Sequence, residues 1–407
     1  MRVLRVYHGG RIRAHRARDR AIAAAGHEVV LVVPSTWTEG GSEAELSHES
    51  FEVVELPVTR AGDINRHRYA DDDAVRRVLE RVRPDVLDLH EEPVSLVARQ
   101  WLRNAPPDLP VAMYTAQNLD KRFPPPFAQW EKRALRRVQA VYPCSRQAAS
   151  VVRGKGFAGH LEVLPLGYDP DLFFPGDQSL DDEVLRLGLV GRMVPEKGVL
   201  DAVHVLAAAA DHRPARLLLI GDGPEVPRAR ALAAELGVSD RLEHVPWLST
   251  PDLAALYRTL HVVLVPSVAT SRWIEQFGRM IVEGQASGAA VAGYWSGSIP
   301  EVTADAGLLA AEGDLQGLTR VVHRLLSSPG DWRRLRSAGI ELALDRTWAT
   351  VGRAHADLLD RAVSERPMNA VGRAAARAEF GAPASSPFGQ TRPHALPVLR
   401  GIAALGR

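Results

Sequence analysis

Leu189-Val-Gly-Arg-Met-Val-Pro-Glu-Lys-Gly-Val-Leu200 leaves an apolar, strand-like run, turns at glycines and enters a helix. Strand, glycine turn and helix form the repeating unit of a parallel α/β sheet. The alternation extends both ways from this stretch. Around and after it, strands are expected at Leu185–Val190, Arg216–Ile220, Leu242–Val245, Val262–Val265 and Ala290–Gly293. Before it they are expected at Val3–Tyr7, Val29–Val33, Val86–Leu89, Val111–Tyr114, Ala140–Tyr142 and Leu161–Leu164. Amphipathic helices such as Ala74–Val82 and Trp130–Arg137 lie between them, and Arg83-Pro84-Asp85 stops one helix before the next strand. The two series are separated by Gly167-Tyr-Asp-Pro-Asp-Leu-Phe-Phe-Pro-Gly-Asp-Gln-Ser179, rich in turn residues and acidic through Asp182, which reads as a linker.

The expected fold class is therefore α/β: two Rossmann-like parallel-sheet domains, residues 1–170 and 184–345, facing a cleft. A closing helix is expected within 346–364. From 366 to 407 the chain is rich in Ala, Gly, Pro and Arg without periodicity and reads as a disordered tail with a basic bias. In open parallel sheets ligands bind beyond the carboxyl ends of the strands, so function is sought in the loops that follow strands.

Composition narrows the class. A chain of 407 residues exceeds one ordinary core and suits two domains. Hydrophobic residues at 46% and charged residues at 24% are those of a globular protein. A formal net charge of +1 gives no global attraction for nucleic acid. A single cysteine, Cys144, excludes a disulfide framework and a cysteine-based zinc site. No apolar run approaches the roughly 20 residues that span a bilayer, and Met1 leads straight into a strand rather than a signal peptide. A cytoplasmic protein is expected, with at most peripheral membrane contact.

Gly191 and Gly198 permit tight turns at the end of the Leu185–Val190 strand, where Arg192 and Lys197 bring two cations. A diphosphate needs this pairing, a planar guanidinium fork beside a compact ammonium. A merely basic surface loop is the plain alternative. Ile220-Gly-Asp-Gly-Pro-Glu225 has the same strand-turn-helix form but is weak on its own.

The sharper signal is Glu275-Gln-Phe-Gly-Arg-Met-Ile-Val-Glu283, which precedes and enters a helical pattern. A helix starting near Gly278 offers free amides to phosphate oxygens. Glu275 before it and Glu283 inside it place carboxylates at either end of one ligand, each able to accept two hydroxyl hydrogen bonds. Surface helix charges are the plain alternative.

This spacing resembles the E-x7-E signature of the large family 4 of retaining glycosyltransferases. Gly191-Arg192 with Glu196-Lys197-Gly198 upstream, and Ser296-Gly-Ser-Ile-Pro-Glu-Val302 downstream, fall in that family's order over roughly residues 2–363. The resemblance implies the two-domain GT-B fold and a nucleoside diphosphate sugar donor. It implies metal-independent transfer of a hexose or N-acetylhexosamine to a hydroxyl, with retained anomeric configuration and neither cofactor nor enzyme nucleophile. The acceptor would be a glycan, a lipid-linked sugar or a small natural product. It further implies that Arg192 and Lys197 hold the diphosphate, Glu275 the sugar and Glu283 the ribose. The amides of Phe277, Gly278 and Arg279 would lie near the phosphates. Two departures stand out: Ala289-Ala290-Val291 after the helix, and Trp273-Ile274 before Glu275, where bulk would reshape the sugar pocket.

On the first domain the resemblance places Gly9 and Gly10, in Tyr7-His-Gly-Gly-Arg11, in a loop facing the donor phosphates. It places His90, in Asp88-Leu-His-Glu-Glu-Pro93, toward the donor sugar. Thr115-Ala-Gln-Asn118 and Lys121–Pro126 are expected to line the acceptor cleft. Asp71-Asp-Asp73 mimics a metal-binding Asp-x-Asp but precedes a helix, where carboxylates cap. Arg11–Arg20 carries five arginines and reads as a solvated helix face, with an anionic membrane surface as the alternative partner. No His/Cys/Asp set has zinc spacing. The rivals are a degenerate GT-B scaffold protein and a Rossmann-type oxidoreductase. The second lacks Gly-x-Gly-x-x-Gly after its first strand.

Overall fold

The computed structural model describes residues 1–37 and 49–364. The tail expected as disordered, 366–407, lies outside the described residues. The first sheet takes β1 (Arg2–Val6), β2 (Glu28–Pro34) and β3 (Glu52–Leu56). A small antiparallel pair, β4 (Val58–Thr59) and β5 (Arg68–Tyr69), stands apart from it. The sheet continues with β6 (Val86–Leu89), β7 (Val111–Thr115), β8 (Ala140–Pro143) and β9 (His160–Leu161), in the spatial order β3-β2-β1-β6-β7-β8-β9. The second sheet takes β10 (Leu185–Val190), β11 (Ala215–Ile220), β12 (Leu242–Val245), β13 (Val262–Val265), β14 (Ala290–Trp295) and β15 (Gly307–Ala311), ordered β12-β11-β10-β13-β14-β15. Every pairing within both sheets is parallel.

Helices cover both faces, so the inner strands are apolar on both sides. In β11, Leu217, Leu218, Leu219 and Ile220 are all buried, two on each face of the sheet. The order reverses at β1 and at β10 in their respective sheets, which opens the crevice where such sheets bind ligands.

The connection between the sheets is doubled. Tyr168 of the linker donates its N–H to the Arg346 carbonyl and accepts from the Trp348 N–H, at 3.1 and 3.0 Å. Gly167 has no room for a side chain because the Trp348 ring lies against it. The outgoing and returning segments therefore run side by side. The helix Trp348–Ser364 then packs on Ala17–Ala24 and the first sheet, closing back on the first domain. It was expected at Trp348–Val363.

Asp71 caps the helix Asp72–Val82, accepting from the Asp73 and Ala74 amides at 2.8 and 3.1 Å, as its position before a helical pattern implied. The solvated reading of Arg11–Arg20 fails at its middle. Arg16 and Arg18 are buried. Arg16 donates to the Gly10 carbonyl at 2.5 Å, and Arg18 donates to the Pro165 carbonyl at 2.8 Å beside the Tyr142 and Trp348 rings. Carbonyls and rings from distant segments replace water around them, which a local pattern cannot reveal.

Candidate active site

The loops after β10, β11 and β13 build the second domain's part of the site. Gly191 (φ +141°) and Gly198 (φ +66°) adopt backbone that favours glycine, and a side chain at Gly198 would collide with the Pro266 carbonyl after β13. That contact seats Lys197 beside the β13 loop. Its ammonium lies 2.6 Å from Glu275 Oε2, which also accepts from Ser267 Oγ at 3.0 Å. Both side chains are buried, and the Trp273 ring stands 5.2 Å from the ammonium. Trp273, the bulky departure before Glu275, thus covers the cation of the site. Arg192 is exposed, one residue past Gly191.

The loop after β11, weak as a motif, supports this arrangement. Met193 N–H donates to the Asp222 carbonyl at 2.8 Å, and Glu225 N–H donates to the Met193 carbonyl at 2.9 Å. Side chains at Gly221 and Gly223 would strike the Gly191 and Met193 carbonyls, so close backbone contact requires both glycines. Exposed Trp247 lies next to Gly221.

Gly278 (φ +81°) starts the helix Arg279–Ala286, and no side chain caps it. No side chain occupies the place an anion would take there, and the positive end of the helix lies behind it. Phe277 is buried and anchors the turn. Glu283 lies four residues into the helix, about 6 Å along its axis. It is buried, paired with Arg279 Nε at 2.9 Å and accepting from Tyr257 Oη at 3.2 Å. Burial pushes its carboxyl above the usual glutamate range, with Arg279 pulling part of the way back.

Downstream, Gly297 (φ +54°) explains Ser296-Gly-Ser. A side chain there would collide with the Glu275 carbonyl, which accepts from Ser298 N–H at 3.0 Å. The same carbonyl accepts from Asn118 Nδ2 of the first domain at 2.8 Å, while Gln276 Nε2 donates to the Ala116 carbonyl at 3.0 Å. Glu301 accepts the Arg146 N–H on both oxygens at 2.9 Å. Thr115–Asn118 was expected to line the acceptor cleft. Ala116 and Asn118 bond to the Glu275–Gln276 loop, making this segment part of the contact between domains.

In the first domain His90 follows β6 and is buried, its ring stacked 4.0 Å from Tyr114 and edge-on to Tyr7 at 4.3 Å. Its Nδ1 lies 3.2 Å from the Arg5 guanidinium, which only donates, so Nδ1 accepts and the ring proton sits on Nε2. Burial, reinforced by Arg5 and Arg18, holds His90 well below the usual histidine range and keeps it neutral. Arg5 is in turn paired with Asp19 and Asp88, and Asp88 also accepts from Tyr142 Oη at 2.5 Å and lies 3.3 Å from His355. This buried set behind His90 joins β1, β6, β8 and the closing helix. It was not visible in sequence. Gly9 and Gly10 lie in a short turn where a side chain at Gly9 would meet the Tyr7 ring at 2.5–2.8 Å. The fold also gathers His8, His67 and Glu91 at this rim, with their ligating atoms within 4.8 Å of one another. No spacing signature announces this group.

Family comparison agrees with the geometry. The model described as "Glycosyl transferases group 1" matches residues 174–342, and "Glycosyltransferase Family 4" matches residues 20–172. The chain belongs to the family 4 glycosyltransferases. Among similar curated proteins, the MMP alpha-(1->4)-mannosyltransferase of Mycolicibacterium hassiacum is 30% identical over 245 residues, 58% of this chain and 58% of that protein. The 2-deoxystreptamine glucosyltransferase of Streptomyces kanamyceticus is 31% identical over 230 residues, 53% of this chain and 58% of the relative. The matched region thus spans little more than half the length of these relatives. Anabaena HepE, solved with UDP-glucose, superposes with a TM-score of 0.67 at 18% identity, covering 88% of this chain and 99% of its own. At that identity the likeness speaks to fold alone, and the fold of this family 4 chain is GT-B.

Proposed function

We propose that this family 4 glycosyltransferase moves a hexosyl or N-acetylhexosaminyl group from a nucleoside diphosphate sugar to an acceptor hydroxyl, with retention and without a metal at the diphosphate. The observation that carries this reading is the buried Lys197–Glu275 pair beside the uncapped start of the Arg279–Ala286 helix. Before the donor arrives, each group neutralises the other. On binding, the diphosphate takes Lys197, Arg192 and the amides around Gly278, while sugar hydroxyls take the Glu275 carboxylate. Glu283 accepts the ribose hydroxyls, and neutral His90 presents an Nε2–H donor from the first domain.

The carbon–oxygen bond between sugar and diphosphate breaks, its electron pair stays with the diphosphate, and the acceptor oxygen bonds to the same carbon from the same face. The acceptor proton passes to the departing phosphate oxygen. No enzyme nucleophile is required, so rate comes from charge stabilisation and orientation. Names such as 2-deoxystreptamine glucosyltransferase and D-inositol 3-phosphate glycosyltransferase among the relatives favour a small hydroxyl-rich acceptor.

Incubating the full chain with UDP-, GDP-, ADP- and TDP-sugars and mixed polyol acceptors tests the reading. One donor class is expected to raise the melting temperature and to release its nucleoside diphosphate only in step with acceptor. If no donor shifts the melt or turns over, while a nicotinamide or flavin cofactor binds, the reading is wrong.

The raised Glu283 pKa sets a pH dependence. Only the ionised carboxylate accepts two hydroxyls, and this group protonates at a higher pH than an ordinary glutamate. Donor affinity, read by calorimetry, is expected to weaken on acidification from above the usual glutamate range. Glu283→Gln should bind more weakly and lose that dependence; an unchanged pH profile in this variant removes Glu283 from the ribose site.

A further inference from the structure

At the carboxyl ends of β1 and β6, three side chains from separate segments converge outside the donor site. His8 Nδ1 lies 2.9 Å from both Glu91 oxygens, and His67 Nε2 lies 3.9 Å from Glu91 Oε1. Glu91 and His67 are fully enclosed, at 1% and 0% exposure. Trp37 walls the group, its ring 4.7 Å from each histidine ring. Buried imidazoles around a carboxylate ordinarily form a closed hydrogen-bond network, and here that network does not close.

His67 Nδ1 lies 2.9 Å from the Asp63 carbonyl and 3.1 Å from the Ile64 carbonyl, both of which only accept, so Nδ1 carries a proton. In the neutral ring Nε2 is then a bare lone pair. It has no hydrogen-bond partner, and its near neighbour is the Glu91 carboxylate, a second acceptor. That nitrogen facing a carboxylate in an enclosed site calls for a positive centre between the two groups, either a proton or a metal ion.

We propose that His8 Nδ1, His67 Nε2 and Glu91 bind a divalent transition-metal ion of the zinc class. Two imidazoles and a carboxylate are the ligand types zinc takes. Tetrahedral zinc at about 2.0–2.1 Å from each donor places its ligands roughly 3.3 Å apart. The two separations to Glu91, 2.9 and 3.9 Å, bracket that value, and all three donors lie within 4.8 Å of one another. The backbone carbonyl on His67 Nδ1 is the outer support that metal-bound histidines ordinarily have, fixing tautomer and ring orientation. The His8 N–H donates to Glu91 Oε1 at 2.9 Å and orients the carboxylate in the same way. Among the described residues the group has three donors, which leaves a fourth position for water or a ligand oxygen. The ion ties the turn carrying Gly9 and Gly10 to the segment that carries His90, so it orders the first domain's rim. It takes no part in breaking the sugar–phosphate bond.

Untagged full-length protein, purified without chelator, is assayed for bound metal and titrated as apoprotein with Zn2+ and Co2+. About one zinc per chain, a visible ligand-field band with Co2+ and a melting temperature raised by about 5 °C or more with zinc are expected. His67→Gln and Glu91→Gln are each expected to weaken zinc binding by more than about 100-fold. A wild-type chain that holds no zinc and whose melt is unmoved by Zn2+ or EDTA overturns the proposal, whether or not the variants fold. So does a His67→Gln protein that binds zinc as tightly as wild type. Neither result touches donor transfer, which is scored separately by nucleotide release.

Discussion

Lys197→Ala is expected to lower kcat/KM with the donor by about 10²–10³, the scale of losing one preorganised charge partner of a leaving group. Gly198, at φ +66°, lies against the Pro266 carbonyl with no room for a side chain, and that geometry holds the ammonium 2.6 Å from Glu275 and under Trp273. Removing it deprives the departing diphosphate of a fixed cation and also leaves Glu275 enclosed without its counter-charge. Melting of the variant beside wild type separates the two effects, because a folded Lys197→Ala protein that binds donor yet turns over slowly has lost transition-state stabilisation. Arg192 is exposed, so Arg192→Ala alone is expected to cost less. A double variant with wild-type kinetics would falsify the diphosphate assignment.

Asp88→Ala is expected to produce the largest loss of stability, about 3 kcal/mol, because it leaves the buried Arg5 guanidinium with Asp19 as its one carboxylate partner and takes the acceptor from Tyr142. Asp88 is fully buried, paired with Arg5, hydrogen-bonded by Tyr142 and 3.3 Å from His355 of the closing helix. Its loss therefore loosens both the sheet centre and the helix that returns from the second domain. Arg5 also supplies the hydrogen bond that fixes the His90 tautomer, so residual folded protein should show reduced turnover. Urea unfolding followed by circular dichroism gives the difference. A loss below about 1 kcal/mol, the size of an exposed pair, would mean the network is not a buried unit.

Strands at the centre of the second sheet were readable because burial on both faces keeps them almost wholly apolar, Arg186 being the one charged residue within Leu185–Val190. Leu185–Val190 and Val262–Val265 appear with the expected bounds for that reason. The edges were not. β3, Glu-Val-Val-Glu-Leu, is only partly buried and carries charge, and β15 is built of Gly, Leu and Ala with little strand preference. Each is recruited by one neighbouring strand, a tertiary effect.

The site divides in the same way. The loops carrying Arg192, Lys197, Glu275 and Glu283 were legible because glycine turns mark them at short spacings, and the fold sets Lys197 against Glu275 and Arg279 against Glu283. The partners of Asn118 and Glu301 were not, since they lie across the domain contact. Arg16 and Arg18 misled because a charged helix face is ordinarily wet, and only the folded chain supplies the carbonyls that enclose them. The Arg5–Asp88–His355 set and the His8–His67–Glu91 group each join residues far apart in sequence, with no periodicity to mark them.

Retaining transfer directed by the Lys197–Glu275 site leaves a stereochemical mark on the product. The most direct measurement is the anomeric configuration of the product by proton NMR, using the donor class that turns over and its α-linked sugar. An α-linked product at the acceptor hydroxyl, formed by the wild-type chain and lost with Lys197→Ala, is the predicted result. A β-linked product would contradict the account, because it requires attack from the face opposite the departing diphosphate.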